Sequence, residues 1–181
     1  MRLFFSLPVP EEIRNTLART QGELSELGES LRFVDPELMH ITVAFLGEFD
    51  PVVAADVGRR VAIYSTPIQL SVFGIGAFAG PKKEVAVVFA AVRGSVPLEV
   101  SIHHELGLPI RSEASSHGLP TGHFGHITLA RGSESTNLEM VSPYLGPKSF
   151  GSWTADHFEL VESRLGRGTD YRLVQRFDLI G

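Results

Sequence analysis

The 181-residue chain contains no cysteine. That excludes disulfides, thiolate metal sites and a cysteine nucleophile, and it agrees with a reducing compartment. There is no basic excess either: 16 lysines and arginines stand against 21 acids, for a net charge of −5. A protein that grips long duplex nucleic acid carries a basic face, so that partner is excluded. Any nucleic-acid contact is expected to be a short end in a local pocket. No apolar run approaches the roughly 20 residues of a membrane-spanning helix. The short apolar run at Leu3–Leu7 is broken by Pro8 and Pro10 and followed by Glu11 and Glu12. Without a small-residue cleavage site it is not expected to be a signal peptide. A cytoplasmic monomer without a membrane partner is the expectation. What is present is an ordinary globular composition, 43% hydrophobic and 20% charged, long enough to bury a core.

Period and punctuation mark out the elements. Leu3–Leu7 predicts a buried strand, and Pro10 opens a helix with Ile13, Leu17, Leu24 and Leu27 near helical spacing. Leu31–Val34 is short and extended, and Met39–Leu46 predicts a strand ended by Gly47. Helices are expected after Pro51 (Val53, Val57, Val61) and Pro97 (Leu98, Ile102, Leu106). Strands are expected at Ile68–Phe73 and Val85–Val92, separated by a Gly/Pro loop. After a polar loop at 111–122, Phe124–Ala130 predicts another strand and Asn137–Leu145 a short helix. His157–Val161 and Tyr171–Phe177 close the chain. Without regular βαβ alternation, the pattern predicts an α+β fold of mainly antiparallel sheet.

One internal echo stands out. His40-Ile-Thr-Val-Ala44 returns as His126-Ile-Thr-Leu-Ala130, identical at four of five positions and 86 residues apart (126 − 40). Repeated units point to two equivalent lobes. Strand residues i and i+2 share a face, so each copy presents one imidazole beside one hydroxyl, with Ile41, Val43, Ile127 and Leu129 turned into apolar packing. Two copies facing each other suit phosphodiester chemistry. A neutral imidazole takes a proton from attacking water, and a protonated one donates to the departing oxygen. Histidine does both because its unperturbed pKa is about 6.5. Thr42 and Thr128 can donate hydrogen bonds to non-bridging phosphate oxygens. A single His-x-Thr is usually a strand histidine beside a strand threonine; the weight rests on the matched pair, since polar pairs in apolar stretches are costly to place.

The chain resembles the two-histidine (2H) phosphoesterase superfamily, specifically its RNA 2′,3′-cyclic phosphodiesterase branch of the LigT or ThpR type. That family is defined by two His-x-Thr-x motifs, matched here by His40–Val43 and His126–Leu129. The opening Arg2–Phe5, Leu38–Gly47, Phe73–Pro81, Thr128–Arg131 and the end from Ser163 through Tyr171 to Phe177 are similar as well. The resemblance implies a single two-lobed domain over residues 1–181. In it, two pseudo-symmetric lobes of antiparallel sheet with outer helices flank a central cleft carrying one motif from each lobe. It implies His40 as proton donor to the leaving 3′ oxygen and His126 as proton acceptor that activates water, giving a 2′-phosphate. Neither metal nor cofactor is expected, and the expected partners are RNA ends or small cyclic nucleotides. Gly125 stands where the family often has proline.

Around this core, Arg131 could clamp phosphate or stack on a base. Phe5 resembles a family aromatic that faces the nucleobase, Tyr171 could line the cleft, and His123 could assist RNA binding. Arg164 and Arg167 fit a solvated turn. Gly74–Gly80 lacks the context of a dinucleotide loop. Adjacent His103 and His104 do not share a helix face, and His117, His123 and His126 fit no common metal spacing. No Lys-x-Asp-Gly motif occurs, which argues against an ATP-dependent ligase. Two alternatives stand beside the phosphodiesterase: an ATP-independent 2′–5′ RNA ligase or a phosphodiesterase on another cyclic or 2′–5′ linked nucleotide, and a non-catalytic nucleotide- or RNA-end-binding module.

Overall fold

The computed structural model describes residues 1–110, 116–165 and 169–181. Its strands are β1 (Arg2–Pro8), β2 (Leu31–Phe33), β3 (His40–Glu48), β4 (Ile68–Ala79), β5 (Val85–Arg93), β6 (Gly125–Gly132), β7 (Gly146–Ala155), β8 (His157–Leu165) and β9 (Thr169–Asp178). The helices are α1 (Glu11–Leu24), α2 (Pro51–Ile63), α3 (Val96–Leu106) and the single turn α4 (Leu138–Val141). The main sheet runs β7-β4-β5-β6-β3-β1-β8-β9, with β2 beside β6, and all its pairings are antiparallel.

Outward from the junction of β6 and β3, the two halves mirror one another. β6, β5, β4 and β7 on one side correspond to β3, β1, β8 and β9 on the other. Each half is an extensive ladder, but the junction is a single register pair, Ile41 with Ile127. The two lobes thus meet edge to edge and form one continuous sheet.

The helices take one face of it. α1 buries Ile13, Leu17, Gln21 and Leu24 over the β6–β7 half, where Gly151 leaves room for the Ile13 side chain. α2 starts at Pro51 because the Asp50 carboxylate accepts hydrogen bonds from the Val52 and Val53 amides. It presses Gly58 onto the Phe177 ring, where any Cβ would lie 2.4 Å from a ring carbon. Phe5, Phe158 and Phe177 stack beneath it. α3 packs on β3 and ends at Gly107, whose φ of 64° is the left-handed cap glycine supplies without strain. Among the described residues no helix is long and apolar enough to cross a membrane.

Several elements depart from expectation. β4 does not stop at Phe73 but runs to Ala79, because Gly74 and Gly76 admit the Leu119 side chain against the strand. β7 was not expected: Gly146–Ala155 is rich in Gly, Pro, Lys and Ser, and as an outer strand it has little apolar alternation to show. α1 ends at Leu24, and Leu27 lies in a 3₁₀ segment broken at Gly28. The helix expected over Asn137–Leu145 shrinks to α4 and a 3₁₀ turn at Ser142–Tyr144. Arg167 and the start of the 111–122 loop lie outside the described residues.

Candidate active site

The two echo motifs are the two edge strands that make the junction. Because Ile41 faces Ile127 in an antiparallel pair, His40 lies across from Thr128 and Thr42 across from His126. Ile41 and Ile127 are fully buried on the helical face. By strand alternation the two imidazoles and two hydroxyls stand together on the other face.

A matched irregularity follows each threonine. Ser6 pairs with Thr42 but Phe5 with Ala44, leaving Val43 as an extra residue. Phe89 pairs with Thr128 but Val88 with Ala130, leaving Leu129 extra. A bulge of one residue reverses the alternation beyond it. Arg131, an odd number of residues after His126, is thereby returned to the histidine face, and Phe45 is its counterpart five residues after His40. The second bulge is braced from the helical side: the buried Gln21 amide donates to the carbonyls of Leu129 (2.9 Å) and Val34 (2.7 Å), and the Val34 amide donates to the same Leu129 carbonyl.

The His40 ring is oriented by its backbone. Nδ1 lies 2.8 Å from the Leu38 carbonyl, which can only accept, so Nδ1 carries the proton in the neutral ring. Nε2 is left as an acceptor 3.2 Å from the Thr42 hydroxyl. Burial holds this imidazole's pKa below its ordinary value, against the pull of the Leu38 carbonyl, and the positive charge of Arg131 adds to the lowering. Phe4 and Tyr171 flank the ring at 5.0 and 5.2 Å and meet each other edge-on. His126 is flanked edge-on by Phe78 at 5.3 Å and Phe89 at 5.6 Å, and these two rings stack on one another.

The surroundings of the two histidines differ. Beside His40 opens a cleft of about 230 Å³, lined among others by Phe4, Ser6, Arg14, Glu159, Tyr171 and Leu173. On the His126 side the segment 116–119 runs along β4. His117 bridges to Ala77 through two backbone hydrogen bonds of 2.9 and 3.1 Å, and Leu119 lies against Gly74 and Gly76.

The structure therefore brings His40, Thr42, His126, Thr128, Arg131 and Tyr171 to one face. Phe5 is a correction: it is fully buried on the opposite face, packed on Phe158 and Phe177, and its neighbour Phe4 holds the place beside His40. His123 lies outside the two motif strands, and its Nε2 meets Glu99 of α3 at 3.1 Å. Phe78, Phe89, Ser6 and Glu159 went unsingled from sequence; alternation from Ser6 and the strand pairings locate them once the register is known. Among the described residues no group of three or more His, Asp or Glu side chains is placed to hold a metal ion.

Comparisons with known proteins bear on the family and the fold. The family model described as LigT like phosphoesterase matches residues 7–88. A protein of Aeropyrum pernix named RNA 2′,3′-cyclic phosphodiesterase is 31% identical over 155 residues, covering 83% of this chain and 87% of that relative. A Thermus thermophilus protein of the same name is 29% identical over 188 residues, covering 100% and 91%. A crystal structure of a Thermus thermophilus protein superposes with a TM-score of 0.77 at 26% identity over 99% of this chain and 98% of its own. Escherichia coli LigT complexed with 3′-AMP gives 0.71 at 26% identity, covering 99% and 98%.

Proposed function

Since the chain belongs to the LigT-like phosphoesterase family of RNA 2′,3′-cyclic phosphodiesterases, we propose that it hydrolyses a terminal 2′,3′-cyclic phosphate to a 2′-phosphate, with His40 and His126 as acid and base. The observation that carries the reading is the junction itself, where two imidazoles and two hydroxyls meet around one register pair.

The neighbours of each histidine support a direction. In an in-line displacement the attacking water and the leaving oxygen lie on opposite sides of phosphorus. The leaving 3′ oxygen carries the ribose and base with it. A cleft able to take a nucleoside lies beside His40, whereas the described neighbours of His126 are the Phe78 and Phe89 rings. The nucleoside therefore belongs with His40 and the water with His126. Neutral His126 takes a proton as the water oxygen bonds to phosphorus. Protonated His40 gives its Nε2 proton to the 3′ oxygen as the P–O3′ bond breaks. Thr42, Thr128 and Arg131 hold the non-bridging oxygens. Substrates fitting one such cleft are RNA ends and nucleoside 2′,3′-cyclic phosphates.

The test is an oligonucleotide ending in a 2′,3′-cyclic phosphate, incubated with the protein in EDTA across pH. The expected product is a 2′-phosphate end. Intact substrate at every pH, with nucleotide still bound, would favour a binding module instead.

A further inference from the structure

The cleft beside His40 has a polar far wall that phosphoryl transfer does not use. Ser6 and Glu159 are register partners on β1 and β8, and both line the cavity that His40 also lines. In the sheet, Glu159 sits two strands from His40 and two residues along. With strands about 4.8 Å apart, that places it on the order of 12 Å away, the reach of a ribose and base extending from a phosphate at His40. Between them the walls are apolar or aromatic: Phe4, Pro8, Val161, Tyr171 and Leu173. At about 230 Å³ the cavity is smaller than the 300 Å³ or so where drug-sized pockets begin, and it suits a single heterocycle.

The Glu159 side chain is only 25% exposed. No hydrogen bond to its carboxylate occurs among the described residues, but Oε1 makes an ion-pair contact with His157 Nε2 at 3.6 Å, and Arg176, its register partner on β9, adds a positive charge nearby. The Arg14 guanidinium lines the same cavity, with one nitrogen held by Glu37 at 3.0 Å. The cavity thus offers an acceptor-only carboxylate and a donor-only guanidinium.

We propose that this cavity is a base-selective subsite in which Glu159 reads N–H donors, favouring guanine at the terminal nucleoside and disfavouring uracil. Guanine presents two adjacent donors, N1–H and N2–H, which match the two oxygens of a carboxylate, and its O6 accepts from Arg14. Adenine and cytosine present one exocyclic amine beside a ring acceptor. Uracil places its N3–H between two carbonyls that a carboxylate repels. The proposal rests on the cyclic phosphodiesterase reading of the same site.

The experiment compares the four nucleoside 2′,3′-cyclic monophosphates as substrates, and the four nucleoside 2′-monophosphates as ligands by calorimetry, for the parent and Glu159→Gln. Expected is a guanosine-over-uridine advantage in kcat/KM of about tenfold or more, the worth of one good bidentate base contact, collapsing in Glu159→Gln. Equal kcat/KM for all four bases in the parent, or a uniform loss across bases in the variant, overturns the proposal while leaving the phosphodiesterase intact. If none of the four is turned over, the phosphodiesterase reading fails and calorimetry decides the subsite. A guanosine 2′-monophosphate preference lost in Glu159→Gln upholds it, and equal binding of the four overturns it.

Discussion

The two halves of the sheet share strand order, a His-x-Thr motif and a bulge one residue past the threonine, yet their histidines have different neighbours. In the β3–β1–β8–β9 half the histidine looks into space bounded by Phe4 and Tyr171. In the β6–β5–β4–β7 half the same face carries Leu119 and the Phe78–Phe89 stack. The shared part supplies two imidazoles, each beside a threonine hydroxyl. The unshared part, the rings and side chains around each, makes them inequivalent to a substrate.

The largest effect that would break this comparison comes from the histidines. His40→Ala and His126→Ala should each lower kcat/KM on a cyclic phosphate by about 10²–10⁴-fold. A phosphodiester with a p-nitrophenolate leaving group needs no proton at its departing oxygen. On it His40→Ala should recover most of the loss and His126→Ala should not; the opposite pattern would exchange their roles.

Next comes the cation between the halves. Burial above all, and Arg131 in addition, lower the His40 pKa, and as an acid His40 must be protonated. The alkaline limb of kcat/KM, where His40 loses its proton in the free enzyme, should therefore fall below about 6.5. Arg131→Ala should reduce kcat/KM by about tenfold or more through lost phosphate contact, while moving that limb upward. A limb that stays in place would separate Arg131 from His40.

Smaller effects concern the supports. Gln21→Leu leaves the Leu129 and Val34 carbonyls without its amide, and urea unfolding should show a loss of about 1–3 kcal/mol. Gly76→Ala puts a Cβ 2.7 Å from the Phe89 ring and 3.0 Å from Leu119. It should cost about 1–2 kcal/mol and fall on the His126 side alone, leaving nucleotide affinity in the other half unchanged.

The sequence shows the pair of motifs and their shared face plainly, because a strand of period two needs no partner to be read. What it hides are matters of register. Leu3–Leu7 is buried throughout, so no alternation says whether Phe4 or Phe5 faces the cleft, and the resemblance pointed to the wrong one. Arg131 is an odd step from His126, and only the Leu129 bulge restores it to the site. β7 lacks the apolar rhythm of a strand because it pairs only along one edge, and β4 hides behind glycines whose purpose is Leu119. Nothing in the sequence shows that His123 meets Glu99, 24 residues earlier.

The single pair at the junction also has a kinetic meaning. Ile41 and Ile127 lie 86 residues apart (127 − 41), whereas β4 with β5 and β8 with β9 close between chain neighbours. Contacts of long sequence separation close late, since their loop entropy is repaid only when the flanking structure exists. During refolding, β-sheet signal should return before catalysis does. Enzymatic activity would then report the long-range closures, this pair and the still more distant β1–β8 pairing, rather than the local hairpins.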